Sequence, residues 1–328
     1  MKRVARKRGT ALITALMITA VMSTVAVGLS QTLFFGIDRS GHIETRDQAY
    51  WYAVGARDFA ESALLRSLPP AGEPMRASDA WAQGPRQFEI ENGALIGEVR
   101  DANNCFNLNA LVSAAGRGGY AADGAAAERF IALMQALNIP AGDAQAIAAQ
   151  ATDWIDSDTR PEARGAEDMQ YAQRRVPHRA ANTLFVETEE MLVLPVMTPL
   201  YFSRLAPLVC AHPVTEEIPL NLNTLRPEQA ALLAAALDNH VSLSEAALLI
   251  SRRPTTGYLE VEDFWRDPLV AELEITPENR PVFTLNSRYF EIHVDVQQGD
   301  SRYRLTERVE LESSRRLTRH SQRFGVFL

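Results

Sequence analysis

The stretch "DWIDSDTRPEARGAED" places Asp153, Asp156, Asp158, Glu162, Glu167 and Asp168 within sixteen residues. Asp156 and Asp158 flank Ser157 at the expected end of a helix. Arg160-Pro161 and Gly165 then force a loop that returns Glu167 and Asp168 toward them. Carboxylates crowded in this way repel unless a cation neutralises them, and a set of hard oxygen donors selects Ca²⁺ over the transition metals. The EF-hand spacing is not met: with Asp156 as first loop position, Arg160 and Pro161 stand fifth and sixth, where an oxygen ligand and glycine belong. A solvated acidic loop paired with Arg160, Arg164, Arg174 and Arg175 fits the same residues, so ligand chemistry alone leaves both readings open.

Cys105 and Cys210 are the only cysteines. In an exported body an even pair implies one disulfide, here closing a loop of about a hundred residues and contributing on the order of 4 kcal/mol in the chain-entropy model. Two buried free thiols are the alternative. The six histidines, His42, His178, His212, His240, His293 and His320, fall in no His-Glu-x-x-His pattern, and no Gly-x-Ser-x-Gly occurs. Zinc protease and serine hydrolase chemistry are therefore not indicated, and the chain does not read as an enzyme. His178, between Pro177 and Arg179, reads as a surface loop residue.

The N-terminus offers a different kind of site. Lys2, Arg3, Arg6, Lys7 and Arg8 precede Gly9, and no charged residue follows until Asp38. As a helix, 10–35 would be roughly 39 Å long, enough to cross a hydrocarbon core of about 30 Å with some tilt. The basic cluster holds its start on the cytoplasmic side. A secretory signal peptide is the rival reading, with "AVG" at 26–28 as cleavage site, but apolar residues continue through Leu33, Phe34 and Phe35, beyond the usual 7–15.

The 328 residues carry 33 basic and 41 acidic side chains; without the five leading cations, 28 face 41. So acidic a body repels nucleic acid and suits a cation or a basic protein partner. Beyond Asp38 the helical period persists: Ala49, Tyr52, Ala53, Ala56, Phe59, Ala60, Ala63 and Leu64 form one face, with Arg57, Asp58 and Glu61 opposite. "PPAGEP" ends it, so one helix is expected over about 10–68. "QFEIENGALIGEVR" reads as a hairpin turning at Asn92-Gly93, and "RYFEIHVDV", "QQGD", "RYRLTERVEL" as a second. Between the hairpins the pattern is helical and rich in Ala and Leu. Two phrases repeat there, "FNLNAL" (106–111) and "LNLNTL" (220–225), each with an Asn or Thr able to cap a following helix, so two related helical units are expected. The second unit is similar to helix-hairpin-helix modules, but "DNHVSLSEA" lacks the hairpin glycine that brings backbone N–H groups to phosphate, and the net charge is wrong for nucleic acid.

Together these residues resemble the minor pseudopilin K (GspK) family of type II secretion systems over nearly the whole chain. The resemblance rests on "KRGTALITALM", "CFNLNAL", "DWIDSD" with "GAEDMQY", "RAAN" at 179–182, "LAPLVCA" and "LNLNTL". It implies an α+β protein: a pilin-like fold, long N-terminal helix plus small antiparallel sheet, with a large, mostly α-helical domain inserted. The expected divisions are a prepilin leader 1–9, an assembly helix 10–36, a first pilin-like part 37–103, an insert 104–280 (units 104–213 and 214–280) and a second pilin-like part 281–328. The resemblance implies cleavage by prepilin peptidase after Gly9 and methylation of Thr10. Thr14 stands at the fifth mature position, where ordinary pilins carry glutamate, consistent with a subunit that begins the fibre. Calcium is implied on Asp156, Asp158, Glu167 and Asp168, with Asp153, Asn182 and Glu187 as lesser candidates. The implied role is to initiate and cap the pseudopilus in the inner membrane with a periplasmic body. Implied partners are pseudopilins I and J, with H, the secretin and the secreted substrate as further candidates. A related type IV pilus-like minor pilin and an exported membrane-anchored binding protein are the alternatives.

Overall fold

The computed structural model describes residues 6–273, 275 and 283–325. Leader positions 1–5 and the expected boundary at 280–281 lie outside the described residues.

Helix α1 (Arg6–Ser67) is continuous over 62 residues, about 93 Å at 1.5 Å per residue. From Thr10 to Ile37 every residue is exposed, with Leu12, Leu16, Met22, Leu29 and Phe35 all more than half so. Four threonine hydroxyls there are satisfied within the helix. The hydroxyls of Thr14, Thr19, Thr24 and Thr32 donate to carbonyls three or four residues back at 2.8–3.1 Å, which lets such residues sit in an apolar medium.

The second half of α1 lies on a five-stranded antiparallel sheet, β1 (Arg86–Ile90), β2 (Gly93–Asp101), β3 (Tyr289–Gln298), β4 (Ser301–Leu311) and β5 (Leu317–Phe324), ordered as numbered. Ala49, Ala53, Leu64 and Leu68 meet Phe290, Ile292, Val294, Val296, Leu305 and Val309 in one core. Two sequence expectations are corrected here. Arg57, expected on the solvated face, is 8% exposed and points at Glu307, because it follows Ala53 by four residues and so shares its stripe. Phe59 and Trp51 are exposed, Phe59 resting edge-on against Phe88.

The first hairpin also turns one residue earlier than expected. Asn92 takes positive φ (56°), while Gly93 already pairs with Ile90 and with Gln298. A Cβ on Gly93 would overlap the Gln297 carbonyl oxygen, so glycine serves the close approach of β3 rather than the turn.

Strands β2 and β3 are neighbours in space, but residues 102–288 lie between them in the chain. That stretch builds a second core from α2 (Gly124–Ala136), α3 (Ala141–Ile155), α4 (Asp168–Ala172), α5 (Pro199–Leu205), α6 (Ala230–Ala236), α7 (Leu243–Arg252), α8 (Val261–Trp265) and α9 (Pro268–Ala271). The segment "EEMLVL" is 3₁₀ rather than α helix, and the first repeated phrase leads into a small hairpin, Val112–Ala115 with Gly119–Ala122, before α2 begins. The two phrases nevertheless form one motif twice. Asn107 Oδ1 accepts from Asn109 N, and Asn221 Oδ1 from Asn223 N. Asn109 then grips the Phe185 backbone through both its amide atoms, as Asn223 grips Tyr258.

A disulfide joins Cys105 and Cys210, whose neighbours form a short parallel pair, Phe106 with Val209 and Asn107 with Cys210. It ties the entrance of the first unit to its exit. Cys105→Ser is expected to lower stability by about 4.7 kcal/mol, the chain-entropy figure for a loop of about a hundred residues. Denaturant unfolding of the oxidised protein and the variant measures it; a difference below about 1 kcal/mol would show that the loop is closed by other contacts.

Candidate functional site

Helix α3 delivers the acidic residues. Asp153 is fully buried in its last turn and accepts from the Glu162 N–H at 3.0 Å, which folds the loop back over the helix end. Gly165 then passes so close to the Asp153 carboxylate that a Cβ would overlap Oδ2, which explains the glycine. Ser157 pins the other side: its N–H donates to Tyr120 O and its hydroxyl accepts from Tyr120 N, at 3.0 and 2.7 Å. Asp158 Oδ1 caps Arg160 N at 2.7 Å.

Within this frame Asp156, Asp158 and Glu167 converge, each offering a carboxylate oxygen within 4.8 Å of the others. Asp156 and Glu167 are 3% and 4% exposed, and Asp158 faces solvent. Asp156 Oδ1 and both carboxylate oxygens of Glu167 are buried with no hydrogen-bond donor among the described residues. Of the nearby arginines, Arg179 approaches Asp168, at 3.9 Å, and Arg164 donates to the Gly142 carbonyl. The three converging carboxylates form no salt bridge among the described residues.

The other residues singled out in the sequence are placed differently. Asp168 Oδ1 accepts from Ala180 N at 3.0 Å, so its carboxylate anchors the loop after α4 and stands outside the group of three. Asp153 is spent on Glu162 N, and Asn182 contributes its backbone N–H to Trp154 O. Glu187 is held by Arg308 and Arg323 of the sheet, at 2.8 and 3.0 Å, and so faces away from cation chemistry. His178 is not a free surface residue: its ring packs 5.0 Å from Tyr171 and 6.1 Å from Trp154. A second cluster, Cys105, Cys210 and His212, offers no thiolate because both sulfurs are in the disulfide.

The electrostatics match the geometry. Desolvation, then the neighbouring carboxylates, raises Asp156 to about 6 and Glu167 to about 7; Asp153 rises to about 7, chiefly from burial. Orphaned hard oxygens, one exposed ligand giving access, and like charges with no internal counter-ion fit a hard divalent cation bound by Asp156, Asp158 and Glu167.

This has a consequence for stability. A carboxyl whose folded pKa lies above its unfolded one holds its proton more tightly when folded, so stability is lost as pH rises through that window. With divalent cations chelated, the unfolding temperature is expected to fall from about pH 4.5 to pH 7. Glu167→Gln should remove a share of that slope on the order of 2 kcal/mol. Identical slopes in variant and parent, followed by calorimetry, would refute the assignment.

Two family models, both described as type II secretion system (T2SS) protein K, match residues 104–214 and 220–286. Type II secretion system protein K of Aeromonas hydrophila is 32% identical over 306 residues, covering 92% of each chain. The protein of the same name from Klebsiella pneumoniae is 30% identical over 322 residues and 98% of each chain. Among solved structures, a chain of the GspK–GspI–GspJ complex from enterotoxigenic Escherichia coli superimposes with a TM-score of 0.77 at 31% identity, covering 88% of this chain and all of that one.

Proposed function

The chain belongs to the type II secretion system protein K family and is a minor pseudopilin of that system, and from this premise we propose that it starts and caps the tip of the pseudopilus. The observation that carries the reading is α1, one unbroken helix whose first half presents apolar surface on every side and whose second half is fixed to the sheet. Such a helix joins a membrane-embedded stem to a periplasmic body. The apolar half crosses the inner membrane with its basic start in the cytoplasm, and prepilin peptidase cuts after Gly9 and leaves Thr10 as the methylated mature N-terminus. Thr14 then puts a hydroxyl, satisfied by Thr10 and Ala11 carbonyls, where a glutamate would put a charge in lipid. A first subunit has no earlier neighbour whose N-terminal amine needs such a charge.

GspI and GspJ stand with GspK in the solved complex, and their equivalents are the partners we assign to this chain. A groove of about 500 Å³ between α1 and β1–β2, lined by Trp51, Phe59, Trp81, Phe88 and Val99, supports a helical neighbour beside the stem. Residues 102–288 are read as a helical domain inserted into the pilin-like fold, supported by their separate core and by flanking strands that pair with each other. The role is structural and involves no catalysis.

Calcium is the cation we assign to Asp156, Asp158 and Glu167, where it would supply the counter-charge the loop lacks and fix α3 to the start of α4. At a hundredfold excess over Kd it would stabilise the folded chain by about 2.7 kcal/mol. Calcium should therefore raise the unfolding temperature of the detergent-solubilised protein, magnesium less, because it demands tighter octahedral geometry. Asp156→Asn with Glu167→Gln should abolish the response; a parent protein indifferent to chelator would exclude the site.

Assembly is tested through the stem. Ala20→Asp places a charge at the centre of the apolar half, at a cost of about 2.5–3.5 kcal/mol on insertion scales. It should eliminate co-purification with the partner pseudopilins, and a normal yield of the complex would exclude α1 as the assembly surface.

A further inference from the structure

Under the membrane-distal half of α1 lies a charge cluster, buried at Arg57 and Glu307 and open to solvent at Asp58 and Arg319, that takes no part in the acidic loop. From α1 come Arg57, Asp58 and Glu61, from β4 Glu307, and from β5 Arg319. The facing residues of β3 are the apolar Phe290, Ile292, Val294 and Val296, and Glu307 pairs across the sheet with Ile292 and Gln322.

The two guanidinium groups are already committed. Arg57 donates twice to Asp58, at 2.7 and 3.0 Å, and Arg319 grips both oxygens of Glu61, at 2.8 and 3.2 Å. Glu307 is fully buried and is left with long contacts of 3.5 Å to each arginine through Oε2. Its Oε1 has no donor among the described residues, and the Nε of Arg319 meets both Glu61, at 2.8 Å, and Glu307, at 3.5 Å, so the two carboxyls are neighbours around one nitrogen. Three carboxylates thus share two cations; Asp58 and Arg319 reach solvent, but Glu307 is fully buried, and an unbalanced buried charge of this kind takes up a proton in preference to staying ionised.

We propose that Glu61 and Glu307 share one proton taken from solvent, and that this O–H···O bond is a pH-sensitive clasp between α1 and the sheet. Loss of the proton places two carboxylates against each other across the α1–β4 seam and loosens the stem from the body. Burial first, then Glu61, raises the Glu307 carboxyl to about 7, while the hydrogen bonds and charges of Arg319 help hold Glu61 low despite its own desolvation. The raised group stabilises the seam in its protonated form, so the clasp holds at mildly acidic pH and weakens as pH climbs toward and past neutrality.

Hydrogen exchange of the full-length chain in detergent micelles, with amides 57–67 followed from about pH 5 to about pH 8 and corrected for intrinsic rates, tests this. Protection in the parent should fall at least tenfold over that range. Glu307→Gln donates permanently and should hold protection constant. Glu61→Gln balances two carboxylates against two arginines, so it should also flatten the profile; being at the rim of the seam it keeps the test decisive should Glu307→Gln fail to fold. The infrared absorption of protonated buried carboxyls should lose the component of one group in Glu307→Gln, the acidic loop supplying the remainder. A parent profile without pH dependence, or variants that follow the parent, would overturn the proposal.

Discussion

The fold depends on one buried polar junction, Asp101-Ala102-Asn103-Asn104, where β2 ends and the helical stretch begins. Asp101 accepts from the hydroxyls of Thr224 and Ser287, and Asn103 Oδ1 receives the N–H groups of both Arg288 and Tyr289 as β3 starts. Asn104 is bonded to the backbone of Asn221 on both sides and to the Thr224 hydroxyl. The Ala102 carbonyl takes the ring N–H of His212, itself stacked on Tyr289. Four consecutive residues therefore hold the chain at His212, the second repeated phrase at Asn221 and Thr224, and the return of the chain to the sheet. Without them β2 and β3 would have to find register across a long loop at an entropic cost that grows as the logarithm of its length. Because these groups are buried, each lost partner would leave a polar atom unsatisfied.

The repeated Asn-x-Asn motif extends this logic. In each unit an Asn side chain holds a distant backbone as a strand would, at Phe185 in the first and Tyr258 in the second. What differs is the chain between helix and clamp. After α7 it is the short run 253–257, where Arg253 caps the Leu222 and Leu225 carbonyls. After α3 it is the long excursion 156–184 that carries the acidic site. The first unit thus spends its extra chain on a charged loop that cannot bury enough apolar surface to organise itself.

Electrostatics divide the body into satisfied and unsatisfied regions. Lys2 and Lys7 are the only lysines, so the body's permanent cations are all arginines with planar forks. Some tie distant parts of the chain: Arg308 and Arg323 bind Glu187 and Glu189 and so fasten the helical stretch to β4 and β5, while Arg302 and Arg304 share Asp295 across the second hairpin. Carboxylates exceed donors at the acidic loop and under α1. The loop opens to solvent through Asp158 and can recruit an ion; under α1 the Glu307 carboxyl is fully buried, which favours a proton.

Periodicity and composition alone determined α1, the two hairpins and the helical character of the middle, because each is a local pattern of apolar spacing. The acidic loop was equally legible, since Asp, Pro and Gly in that order leave the chain few alternatives to a charged turn. The repeated phrases, too, could be read before their shared hydrogen bonds were seen. Which acidic residues converge could not be read this way. Asp168 and Glu187 have the same chemistry as Glu167, and only the positions of the Ala180 N–H and of Arg308 and Arg323 divert them. Arg57 and Glu307 carried no warning either: charged residues in amphipathic patterns are read as solvent-facing, and their burial depends on a partner 250 residues away. The DANN junction looked like an ordinary strand end for the same reason. Backbone propensity is a property of neighbours in sequence, whereas satisfaction of a buried polar group is a property of whatever the fold brings beside it.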